Sequence, residues 1–104
     1  MPSGIAVIAY INAKTGHQDE VRRALFDLAA QTRAEKGCIN YDVHQSLEST
    51  TRFAIYENWN SSADLDAHAK AAALRNFTRI AGPLLERPAK ISKWIMVSEP
   101  MEKQ

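Results

Sequence analysis

Arg52-Phe53-Ala54-Ile55-Tyr56-Glu57-Asn58-Trp59, continuing through Asn60-Ser61 into Asp64-Leu65-Asp66-Ala67-His68, is the stretch whose reading decides the fold. Phe53, Ile55, Glu57 and Trp59 alternate with Ala54, Tyr56 and Asn58, the period-two pattern of a strand. Ser61, followed by Asp64, then has the spacing of a helix N-cap. A strand therefore ends in a carboxylate and an indole where the next helix delivers an imidazole. That grouping predicts a small-molecule pocket at the junction.

Upstream, Cys38 to Leu47 forms a second alternating run, joined to Arg52–Trp59 by the polar turn Glu48-Ser49-Thr50-Thr51, so the two make a hairpin. Before it, Thr15 to Gln18 has the spacing of a capping box. Val21, Ala24, Leu25, Leu28, Ala29 and Thr32 then recur on one helical stripe, which predicts a helix over about 16–36 with Gly37 as its C-cap. Ile5 to Asn12 is almost continuously apolar and reads as a central strand covered on both faces. Downstream, Leu74, Phe77, Ile80 and Ala81 extend a helical segment to Gly82-Pro83; a last strand is expected over Lys90–Val97, then a loose tail, Ser98 to Gln104.

The resulting β-α-β-β-α-β order predicts an α+β, ferredoxin-like domain whose four-stranded antiparallel sheet carries helices on one face. Two helices cover one side of such a sheet. The other, with Ile8, Tyr10, Tyr56, Trp94 and Met96, is an apolar patch that predicts homodimerisation by sheet packing.

At 104 residues the chain is expected to be one domain, 1–104, with its core over about 4–98. Thirteen Lys plus Arg against twelve Asp plus Glu leave a charge of +1 with no basic run, which argues against nucleic acid as a partner. No apolar run approaches the ~20 residues of a membrane span, and Met1-Pro2-Ser3-Gly4 does not look like a secretory leader. The single cysteine, Cys38, reads as a buried thiol in a reducing compartment. The expected location is the cytoplasm.

His68 falls near the inward stripe of its helix, and Glu57 lies in line with core residues, where an unpaired carboxylate carries a desolvation cost. The two are therefore expected to pair. Two readings stay open: a hydrogen bond that pins helix to sheet, or a general base whose tautomer a carboxylate fixes. Trp59 and Tyr41 are expected at the same cavity, although either residue is equally at home in a core. His17 and His44 read as surface or interface groups. The three histidines have no chelating spacing, so no metal is expected.

Lys36-Gly37-Cys38-Ile39-Asn40-Tyr41, Arg52 through Trp59 and Leu65-Asp66-Ala67-His68 together resemble the antibiotic biosynthesis monooxygenase (ABM) domain family, which includes quinol monooxygenase-like enzymes. The resemblance implies a dimeric α+β barrel with a pocket in each subunit. It also implies oxygenation of quinols or polycyclic phenols without metal, flavin or haem. On that reading His68 and Glu57 are catalytic, Trp59, Tyr41 and Phe77 bind substrate, and the partners are a small aromatic molecule and O2. The chain departs from many members at Ala73, where they carry a second histidine, and lacks the triad of the haem-degrading branch, so no haem is expected. An isomerase or proton-transfer enzyme on a small carbonyl compound and a non-catalytic dimeric ligand-binding protein are the alternatives. A phosphorylated substrate would need cations in the pocket, and Arg75 is the nearby candidate.

Overall fold

The structure, a computed structural model, describes residues 4–100; the reading of Met1 to Ser3 and the end of the tail, 101–104, lie outside the described residues. Its elements are β1 Ile5–Asn12, α1 Gln18–Thr32, β2 Cys38–Gln45, β3 Arg52–Trp59, α2 Ser62–Ala69, α3 Ala72–Ala81, a 3-10 turn Gly82–Leu84 and β4 Lys90–Trp94. The strands form one antiparallel sheet in the order β2-β3-β1-β4, with the helices packed on one face, which is the ferredoxin-like α+β arrangement. Among the described residues no helix is long and apolar enough to cross a membrane.

Register decides which side chains meet the helices. Val7 pairs with Glu57, Ala9 with Ile55 and Ile11 with Phe53, and all six side chains are buried beneath α1, α2 and α3. The stripe Val21, Leu25, Leu28, Ala29 and Thr32 of α1 closes over them. The opposite face is open: Tyr10, Tyr56, Trp94 and Met96 are each close to half exposed, and Ile8 is half-buried.

Four boundaries differ from those expected, each for a local reason. The N-cap of α1 is His17, and the expected capping box reduces to one bond, from Gly16 N–H to Gln18 Oε1 at 2.9 Å. The helix ends at Thr32, since the amides of Ala34, Glu35 and Cys38 each bond to the carbonyl three residues back, winding a series of tight turns up to Gly37. β2 stops at Gln45, where Ser46 Oγ begins to accept the amides of Glu48 and Ser49. β4 stops at Trp94, opposite Ala6, because β1 has almost run out of residues to pair with.

The second helical stretch is two helices. Ser61 Oγ caps α2 by accepting the Asp64 amide at 3.2 Å, and the turn at Lys70-Ala71 separates α2 from α3. A bulge between Cys38 and Asn40 inserts Ile39 as an extra residue, so Ile39 leaves the Tyr41 and Val43 side of β2 and is 60% exposed.

Candidate functional site

The α1–β2 turn and the β3–α2 junction are clamped to each other. The Asn60 N–H donates to the Gly37 carbonyl at 2.9 Å. Gly37 has φ +81°, and a Cβ there would collide with the Asp64 carboxylate. This docking brings Glu35 of the turn beside His68 of α2: His68 Nδ1 lies 2.9 Å from Glu35 Oε1, with His68 buried and Glu35 mostly so. A carboxylate oxygen can only accept, so a hydrogen bond between the two would place the hydrogen on Nδ1.

The pairing expected between Glu57 and His68 is therefore corrected. Glu57 is buried, but its Oε1 accepts the Trp59 Nε1–H at 2.9 Å. The sequence offered no pointer to Glu35, since it lies on a turn, outside any hydrophobic period. Trp59 is itself fully buried behind His68, with the two rings stacked at 4.7 Å between centroids. Tyr41 meets the imidazole edge-on at 5.5 Å.

Beneath α2 and α3 lies a cavity of about 140 Å³. Val7, Ala9 and Ile55 form its floor, Leu65, Leu74 and Phe77 its roof, and Ile91 of β4 its side. Tyr41, Glu57, His68 and Phe77 all line it, whereas Trp59 does not. Asp66 and Lys93 also line it and were not singled out in the sequence, while Arg75 is elsewhere, with its guanidinium bonded to the Lys70 carbonyl. The strand position of Lys93 was legible, but only the packing of β4 against the cavity reveals where it faces.

Burial sets the electrostatics. It pushes the Glu57 carboxyl above its ordinary range, and the nearby Glu35 charge adds to the effect; the Trp59 hydrogen bond and His68 oppose it. The Tyr41 phenol is pushed far up by burial and then by Glu57 and Glu35, so it remains a hydroxyl. The Cys38 thiol is raised by burial and the same two carboxylates, which makes it a poor nucleophile. The site thus combines an imidazole bonded to a carboxylate, a hydroxyl and a buried carboxyl of raised pKa with mostly apolar walls, an arrangement suited to moving one proton.

Two of the larger hollows are lined by no histidine. One, of about 350 Å³, is a surface groove between α1 and α3 rimmed by Glu20, Arg23 and Asp27; Leu28 and Phe77 separate it from the cavity. The other, of about 670 Å³, lies on the open sheet face between Ile39, Tyr56, Trp94 and Met96.

The family model described as "Antibiotic biosynthesis monooxygenase" matches residues 4–79, well over half of the chain. The chain is 30% identical over 92 residues to the Mycobacterium tuberculosis protein named "Putative monooxygenase Rv0793", spanning 88% of this chain and 90% of that one. The crystal structure of Rv0793 superposes with a TM-score of 0.87, covering 95% of this chain and 100% of that one. "Putative monooxygenase YcnE" of Bacillus subtilis is 26% identical over 87 residues, 84% of this chain and 92% of that protein. The crystal structure of PA3566 from Pseudomonas aeruginosa gives a TM-score of 0.87 at 33% identity, covering 94% and 98% of the two chains.

Proposed function

Since the chain belongs to the antibiotic biosynthesis monooxygenase family, we propose that it is a cofactor-independent monooxygenase that oxidises a quinol-like aromatic with O2 in the cavity beside His68. The observation that carries this reading is a buried imidazole with one nitrogen held by a carboxylate, against a mostly apolar cavity. The cavity is smaller than the ~300 Å³ at the low end of ordinary ligand pockets, which favours a substrate of one or two rings over a polycyclic one.

Triplet oxygen reacts slowly with closed-shell molecules, but an ionised phenol is rich enough in electrons to reduce it by one electron. Nε2 of His68 takes the hydroxyl proton, and the resulting phenolate passes one electron to O2. Superoxide and the substrate radical then join at a ring carbon that bears hydrogen. The peroxide takes the proton back from the imidazolium, and loss of water leaves a carbonyl at that carbon. One oxygen atom ends in the product and one in water, with all electrons drawn from the substrate. Tyr41 and Phe77 orient the ring, and Trp59 supports His68 from behind. Glu57 lies beside the imidazole without hydrogen-bonding to it.

Lys93 favours a second reading: an ammonium at the cavity could polarise a small carbonyl compound while His68 removes the adjacent proton, giving an isomerase. Oxygen uptake separates the two. With a panel of one- and two-ring quinols the monooxygenase consumes O2, and His68→Ala cuts turnover by about two to four orders of magnitude while the protein stays folded. Normal turnover in that variant would remove His68 from the mechanism. We also infer that the chain works as a homodimer packed through the open sheet face, supported by the apolar side chains exposed there.

A further inference from the structure

We propose that Glu35 is the positioning residue of the site, holding His68 in the tautomer that carries its hydrogen on Nδ1 and leaves Nε2 free for the substrate. This rests on the reading of His68 as the base. A neutral imidazole has one donor and one acceptor nitrogen, and the partner of one decides the role of the other. Glu35 Oε1, 2.9 Å from Nδ1, is the only side chain hydrogen-bonded to the ring among the described residues.

Glu35 is itself held in place. Its amide donates to the Thr32 carbonyl at 2.9 Å, and its carbonyl accepts the Cys38 amide at 3.2 Å. Two residues on, Gly37 is fastened to Asn60 and packed against Asp64, whose amide is capped by Ser61 at the start of α2. Carboxylate and imidazole, 33 residues apart in sequence, are thus set by two connections that grip each other. Stacking on Trp59 and the edge of Tyr41 restrict rotation of the ring.

The other ionisable groups around His68 do not take this role. Glu57 on β3 is engaged by Trp59, Tyr41 on β2 meets the ring by its edge, and Asp66 on α2 and Lys93 on β4 line the cavity without a hydrogen bond to the imidazole.

Nitrogen-15 NMR of the histidine rings in the full-length, ligand-free protein reads the tautomer directly. The wild type should show His68 protonated on Nδ1. Glu35→Gln should preserve that tautomer, because the amide oxygen also accepts, whereas Glu35→Ala should shift it toward Nε2–H with the thermal melt still cooperative. On a quinol that the wild type oxidises, Glu35→Ala should lower kcat by about ten- to a hundredfold, the effect of one charge-assisted hydrogen bond, with KM little changed. Glu35→Gln should recover much of the loss. A wild-type ring protonated on Nε2, or an unchanged tautomer in Glu35→Ala, overturns the proposal. If the tautomer responds as expected but the wild type consumes no O2 with any quinol, the role of Glu35 stands and the oxygenase reading falls.

Discussion

The imidazole of His68 lies on the indole of Trp59 with their planes inclined by 29°, and the same indole donates its Nε1–H to Glu57. One buried side chain therefore backs the candidate base and satisfies the buried acid beside it. The two roles can be separated by substitution.

Trp59→Phe keeps an aromatic surface for His68 but removes the donor to Glu57. An unsatisfied buried acceptor costs about 1–3 kcal/mol, so chemical denaturation should report a loss of that order. Unchanged stability would mean that Glu57 finds another donor.

Glu57 links stability to pH. Its folded-state pKa lies above its unfolded value, so between the two the folded protein binds more protons and stability falls as pH rises. The full penalty applies above the folded value. Glu57→Gln can still accept from Trp59 without ionising, so its melting temperature should gain on the wild type as pH is raised from the ordinary carboxylate range toward neutrality. Parallel curves for the two proteins would contradict this.

Gly37→Ala tests the clamp between the two connections. A side chain at a left-handed φ costs about 1–3 kcal/mol, and here it also meets the Asp64 carboxylate. Stability should fall by at least that amount, and Asp64→Ala in the same chain should recover only a fraction of the steric part, because the Cβ of residue 64 also crowds the added atom and the backbone angle is unchanged.

Phe77 forms part of the wall between the cavity and the α1–α3 groove. Phe77→Leu should thin that wall at a cost of about 1–3 kcal/mol in stability. Specificity, measured as the ratio of kcat/KM for three-ring to two-ring quinols, should move toward the larger substrate.

The proposed dimer can be tested without touching the site. Tyr56→Glu combined with Trp94→Lys places two charges on the open face, so sedimentation should show a monomer in place of a wild-type dimer. A wild-type monomer at micromolar concentration would sink the idea.

β3 is legible to the residue because each of its inward positions faces the core and each outward position does not. The stripe of α1 and the cap of α2 are equally local signals. The end of α1 is not, because Gly37 looks like a helix cap and serves instead as a docking point for Asp64. The site shows the same division. His68 and Tyr41 can be placed near a cavity from periodicity and Phe77 from the family resemblance, but Glu35 reaches the imidazole through a contact across the fold that leaves no periodic trace. Trp59 has the right address and a different position, one layer behind the ring it was expected to join at the cavity.

The extra residue at Ile39 has a consequence for how this chain tolerates change in length. Because Asn40 pairs with Asn58 and Tyr41 with Glu57 on one side of the bulge, and Cys38 with Trp59 on the other, Ile39 occupies no rung of the ladder. Deleting it would let the strand run straight from Cys38 into Asn40 with every pairing beyond kept and Tyr41 still facing inward. The same deletion at Val43 would swap inside for outside along part of the strand. Position 39 is thus a slack point, where the chain can lose a residue at the edge of the sheet while the cavity keeps its lining.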